Sequence, residues 1–251
     1  MVFIQNTKKL FILTLLSLII ISCGMQKKTV EYDDFYADID QPIVFSEGWG
    51  TNYNYPVTVD VSTAITSENS NLISYIQSAV NTWNSAIGRT ILQLRTGTVT
   101  KTGNDFSSLF LPNNEPFNAM YYDQISGGIG GWVNNTGKPS STIAATIYNF
   151  KKNVISKANI RFNRDKYYFG NTATDNTFSG LDVADMQSIA LHELGHFLGL
   201  GHVASERNSV MYPTIDVGLN NPPTRKSRII DPSCNDIERI RTIYPGGVSS
   251  Q

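Results

Sequence analysis

The stretch His192-Glu193-Leu194-Gly195-His196-Phe197-Leu198-Gly199-Leu200-Gly201-His202 combines residue types and spacings that can do chemistry. His192 and His196 are four residues apart, so on a helix both imidazoles leave the same face, one turn apart. Neutral imidazole is a good zinc ligand, and two ligands on one rigid helix need little ordering. Glu193 follows His192 and points about 100° around the helix. Its carboxylate therefore belongs beside a metal and not on it. There it can take a proton from metal-bound water and return it to a leaving group. A third ligand one more turn along would point too far along the axis. Gly199 lets the chain leave the helix with positive φ, Gly201 adds freedom, and His202 can swing back. Three protein nitrogens leave a fourth position for water, which is the pattern of a catalytic zinc site and not of a closed structural one. The chain has three histidines in all, so no second, histidine-rich zinc site can be built.

Several elements must position this motif. A helix is predicted from Val183 to about Leu198, with Asp182 as its cap and Asp185 at its third position. Apolar residues at Leu72, Ile73, Ile76, Val80, Trp83 and Ile87 predict a second long helix after Ser70, stopped by Gly88. Strands are predicted at Pro56–Val61, Thr90–Leu94, Asn118–Tyr122, Thr142–Tyr148 and Ala158–Phe162. Residues 127–138 are rich in Gly and Asn and read as a loop. A long loop is expected between Asn163 and Asp182. A last helix follows Pro232, with Ser233 and Asp236 as a capping pair and Ile237, Ile240 and Tyr244 along one face. There is no internal repeat.

The bulk numbers set limits. The chain has 251 residues, 41% of them apolar, with a formal charge of −1. A sizeable core can form, and nothing suggests a clustered basic surface for nucleic acid. Residues 1–22 read as an export signal. Lys8 and Lys9 precede an apolar run, Leu10 to Ile21, that is too short to span a bilayer. The sequence Ile20-Ile21-Ser22-Cys23-Gly24 resembles the lipobox of bacterial lipoproteins, which implies lipidation of Cys23. Residues 23–48 then form a tether with acids at Glu31, Asp33, Asp34, Asp38 and Asp40. An acidic side chain of the tether folding back on the metal is the alternative use of that stretch. The only other cysteine, Cys234, is expected to be a buried small apolar residue. Lipidation of Cys23 would exclude an intramolecular disulfide. The catalytic domain is assigned to residues 49–247.

The motif HELGHFLGLGH resembles the extended signature of the metzincin zinc peptidases. Ser209-Val210-Met211-Tyr212-Pro213, nine residues on, is similar to their methionine turn, and its Val-Met-Tyr-Pro form is most similar to the matrixin branch. The resemblance covers roughly Pro56 to Tyr244. It implies that His192, His196 and His202 bind one Zn²⁺, that Glu193 is the general base, and that Met211 supports the ligands from below. It also implies a substrate lying antiparallel along the strand near Ile143–Tyr148. Pro213 stands where some other branches carry a zinc-reaching tyrosine, so no such ligand is expected. No cysteine-switch motif is present. Calcium ions are compatible with the resemblance, with Asp and Asn residues between 163 and 182 as candidates, but the ligands cannot be placed.

The expected fold is α+β: a twisted, mixed five-stranded sheet with an antiparallel edge strand, an active-site helix, and a small C-terminal subdomain with the methionine turn and the final helix. The expected function is zinc-dependent endopeptidase action on protein or peptide substrates, by a monomer, at the bacterial cell envelope, with the outer membrane favoured. A lipid-anchored binding protein with a structural zinc, or a zinc hydrolase of another bond, are the alternatives.

Overall fold

In the computed structural model, residues 41–106, 118–126, 129–174, 181–217 and 228–246 are described. All lie in the unit Tyr32–Gln251. Cys23, the export signal and the tether acids lie outside the described residues. Among the described residues no helix is long and apolar enough to cross a membrane.

The elements in chain order are β1 (Val57–Val61), α1 (Thr63–Glu68), α2 (Asn71–Ile87), β2 (Leu92–Thr96), β3 (Ala119–Asp123), β4 (Ile125–Ser126), β5 (Ile129–Gly130), α3 (Trp132–Thr136), β6 (Ala144–Lys151), β7 (Val154–Asn163), β8 (Tyr167–Gly170), β9 (Asp182–Asp185), α4 (Met186–Phe197) and α5 (Cys234–Ile243). Five strands form one sheet in the order β2-β1-β3-β7-β6. Its first three pairings are parallel, and β6 pairs antiparallel with β7 at the edge. The fold is the expected α+β arrangement, a mixed five-stranded sheet with an antiparallel edge strand.

One face of the sheet packs against α2 and α4. Val57, Val59 and Val61 alternate inward from β1 and are fully buried with Leu72, Ile76 and Trp83 of α2. Trp83 also donates its indole N–H to the carbonyl of Leu191, at 2.8 Å, which locks α2 onto α4. The opposite face carries a smaller cluster of Val99, Phe106, Ala119 and Tyr121. The helix α2 ends as its sequence predicts, at Gly88 with φ 84°.

Several expectations need correction. The stretch between Asn163 and Asp182 is not one loop: β8 pairs parallel with β9 there. Backbone pairing takes Asp182–Asp185 into that strand, so the helix starts later, and Asp185, not Asp182, is its cap. The Asp185 carboxylate accepts from the Ser188 amide at 2.9 Å. The glycine-rich stretch near 127–138 contains the short helix α3, and α1 has no counterpart in the sequence reading. Strand β2 sits two residues later than predicted, because Asn84 holds the amides of Ile91 and Leu92 at the end of α2. Cys234 is exposed at the first position of α5 and is disulfide-bonded, so it is neither a core residue nor a free thiol.

The boundary of the tether also shifts. Residues 41–48 are a strap built into the domain. Phe45 is buried against the rings of Tyr148 and Phe150. Ile43 bridges to Leu200, and the amides of Val44 and Phe45 both donate to the carbonyl of Gly199. Aromatic packing and free carbonyls at the end of α4 hold this segment, and neither is visible in an acidic linker composition.

Candidate metal centre

The helix α4 delivers His192 and His196 from one face, and the chain then turns at Leu198–Gly199. Gly199 has φ 107°, and a side chain there would press on the Phe45 backbone. The turn brings His202 back, so the Nε2 atoms of the three histidines lie 3.1, 3.1 and 3.3 Å apart. His192 donates from Nδ1 to the carbonyl of Val210 at 2.7 Å, and His196 from Nδ1 to that of Leu200 at 2.9 Å. Both bonds fix the tautomer that leaves the Nε2 lone pair bare.

The bare lone pairs of His192 and His196 repel one another at this distance unless a cation or a proton sits between them, and His202 Nε2 points to the same place. A tetrahedral zinc with bonds of about 2.0–2.1 Å sets its nitrogen ligands roughly 3.3 Å apart, so the trio fits that ion. Burial pushes His192 down to about 4, with the nearby His202 adding to the shift, and burial holds His196 well below the usual value and lowers His202. All three are therefore neutral at pH 7, as metal ligands must be. Among the described residues this is the one group of three or more histidine, cysteine or acidic side chains that could hold a metal. Of the calcium candidates between 163 and 182, Asp165 accepts from the amides of Ile125 and Trp132 and Asn171 from the amide of Ala173, while Asp175 and Asn176 lie outside the described residues.

Glu193 is buried and lies beside the trio. Burial raises its carboxyl to about 7, against the pull of a hydrogen bond from Thr146 and the charge of Lys138. Thr146 donates to Glu193 Oε2 at 2.6 Å. The phenol of Tyr148 is pushed well above its usual value by burial and by the Glu193 charge.

Below the trio, Met211 packs its sulfur against the bare Cα of Gly195. The turn that carries it is pinned from α5. Asp236 accepts from the hydroxyl of Ser209 at 2.6 Å and from the amide of Val210 at 2.9 Å. It also closes the capping box with Ser233. The structure thus brings together all five residues singled out around the motif: His192, Glu193, His196, His202 and Met211. Sequence reasoning missed Thr146, and it saw Asp236 only as a cap. No spacing signal marks Thr146, since its role depends on a sheet edge crossing α4.

The site opens into a cavity of about 640 Å³. The strand β6 forms one wall, with Ala144, Thr146 and Tyr148. Val210 and Tyr212–Thr214 with Ile215 and Val217 form the other, and Gln41 and Val44 of the strap also line it. The carbonyl of Ile143 accepts from Asn163 of the β7 side. Antiparallel pairing alternates, so Ala145 and Ile147 also point their peptide groups at β7 while those of Ala144, Thr146 and Tyr148 face the open edge.

The chain is similar to known proteins over part of its length. Residues 132–245 match the family model for matrixin, Peptidase_M10. The chain is 40% identical over 70 residues to metalloendoproteinase 2-MMP of Arabidopsis thaliana, a match covering 28% of this chain and 16% of that protein. It is 39% identical over 84 residues to metalloendoproteinase 1 of Glycine max, covering 33% and 24%. The chain therefore spans less than a quarter of the length of these relatives. Among solved structures, metalloproteinase-II from Bacteroides fragilis aligns over 80% of this chain and 57% of its own, at 12% identity and a TM-score of 0.34.

Proposed function

We propose that this matrixin-like metzincin chain is a zinc-dependent endopeptidase that cuts protein or peptide substrates. The convergence of three neutral imidazoles on one point, with a buried carboxylate beside them, carries the reading. His192, His196 and His202 would hold the ion. When bound, zinc supplies Lewis-acid polarisation of the scissile carbonyl and an acidified water. The residues of the chain do the rest. Glu193 takes the proton of the attacking water on its carboxylate and delivers it to the leaving nitrogen. A carboxyl tuned toward neutrality can do both jobs near pH 7. The open edge of β6 offers its outward peptide groups to an extended substrate, as an added strand would use them. An unpaired strand edge holds a peptide by its main chain and does not read a chain terminus, which suits internal bonds.

The test is cleavage of an unfolded protein by the form that begins after Cys23, beside Glu193→Ala. Activity that a chelator removes, zinc restores and Glu193→Ala abolishes is expected. Stoichiometric zinc binding with no cleavage would point instead to a binding protein with a structural metal.

The lipobox-like sequence supports a second part of the proposal: Cys23 is the lipidated first residue of an envelope protein, with residues 1–22 removed and the outer membrane favoured. Lipidation and a disulfide to Cys234 are exclusive uses of the Cys23 thiol. Mass spectrometry of the purified N-terminal peptide decides between them. An acylated cysteine is expected, and a peptide disulfide-linked to the Cys234 peptide would overturn the assignment.

A further inference from the structure

We infer that Thr146 is a positioning residue that sets the general base in register with the substrate. The inference rests on the endopeptidase reading above. One residue of β6 faces two ways. Its side-chain hydroxyl donates to Glu193 Oε2 at 2.6 Å, and the same oxygen lies 3.1 Å from the Glu193 carbonyl. Its peptide group belongs to the set that faces the open edge, as derived from the Ile143–Asn163 bond.

A glutamate has three side-chain torsions, and among the described residues its carboxylate takes a hydrogen bond from Thr146 of β6. Fixing Oε2 by a short bond to a carboxylate restricts those torsions, because such charge-assisted bonds are short and directional. Oε1 is then left to face the water. A peptide that adds to the β6 edge takes its register from the peptide groups of Ala144, Thr146 and Tyr148. The distance from scissile carbonyl to base is therefore set through a single residue, without relying on a flexible side chain to find its place. Pre-set geometry of this kind raises the rate of the bound complex more than it tightens binding.

Thr146→Val is the informative change, because valine keeps the branched shape that packs in β6 and removes the hydroxyl. Thr146→Ser restores the hydroxyl. Four measurements separate the cases: kcat and KM on a peptide substrate, zinc affinity by competition with a chromogenic chelator, and crystal structures of Thr146→Val and wild type. The expected result is a fall in kcat of about tenfold for Thr146→Val, with KM and zinc affinity within about twofold. Thr146→Ser returns to near the wild-type rate, and Glu193 in the Thr146→Val crystal has left its place. Wild-type kcat in Thr146→Val, a Thr146→Ser variant as slow as Thr146→Val, or an unmoved Glu193 carboxylate would each overturn the inference. Should the zinc-loaded wild type cut no peptide, the enzyme reading fails on its own, and the position of Glu193 in the two crystals still decides the role of Thr146.

Discussion

Asp236 on α5 reaches the amide of Val210 at 2.9 Å, and the carbonyl of Val210 in turn accepts from His192 at 2.7 Å. A carboxylate that touches no ligand thus orients one through a single residue, Val210. Asp236→Asn keeps the size but turns one acceptor oxygen into a donor facing either Val210 or Ser209. Zinc affinity is expected to fall by about 10–100-fold, the usual effect of losing such outer support. Competition with a chromogenic chelator measures it, and an unchanged affinity would show that α5 has no hold on the ligand.

Gly195 is required for a different reason. Any Cβ there overlaps Met211 Sδ and crowds Trp83, both of which are fully buried. Gly195→Ala should destabilise the protein by about 1–3 kcal/mol through overpacking. Met211→Ala is expected to recover part of that loss in the double variant, since it removes the overlapping atom. Urea melts of the four proteins form the cycle, and strict additivity would sever the link between the two residues.

The metal-free protein should carry a pH signature of Glu193. Its folded pKa, about 7, lies above the unfolded value of about 4.5. A raised pKa stabilises the fold below the unfolded value, and that contribution is lost as pH rises to 7. Glu193→Gln cannot ionise, so it should match wild type near pH 4.5 and exceed it by about 3 kcal/mol above pH 7.5. The depressed histidines act in the opposite direction, losing their contribution as pH falls below about 6.5. They are shared by both proteins and cancel in the difference. Urea melts in chelator across pH 5–8 check it, and a flat difference would mean that Glu193 is already ionised in the fold.

Zinc should stabilise the fold by mass action. At about 1,000 times its dissociation constant the gain is roughly 4 kcal/mol, or about 10 °C in Tm for a domain of this size. Differential scanning calorimetry with zinc and with chelator reads it. Replacing His202 by alanine should remove most of the increment.

The strap makes a prediction about truncation. A form starting at residue 41 should melt as the form starting at residue 24 does. A form starting at residue 50 loses the buried Phe45 and the Trp49 indole, which donates to the Phe197 carbonyl at 2.9 Å. Burial of Phe45 alone is worth about 2–3 kcal/mol, so a drop of at least that size is expected in denaturant melts. Equal stability of all three forms would return residues 41–48 to the tether.

The metal ligands were legible because they are local. A four-residue spacing on a helix and a glycine-led turn are properties of eleven consecutive residues, and periodicity finds α2 and α5 for the same reason. The edge position of β6 followed from resemblance alone. What stayed hidden depends on distant pairings. Tyr167–Gly170 becomes a strand only because Asp182–Asp185 lies beside it. Thr146 matters only because its sheet crosses above α4. The strap is held by the carbonyl of Gly199, which accepts from Val44 and Phe45, and Trp49 just beyond it donates to the carbonyl of Phe197. No pattern within residues 41–48 announces that debt of the helix end.

Gln41 stands at the mouth of the cavity, beside Gly201. If Cys23 carries the lipid, the leash is fastened at the rim of the working opening and not at the back of the domain. About 17 residues separate the two points, and a fully extended chain of that length reaches roughly 60 Å. Under the proposed lipidation and peptidase activity, the cutting radius would be measured from the bilayer itself. Long or membrane-bound chains that pass close to the surface fall inside it, while a freely diffusing protein must first be brought near.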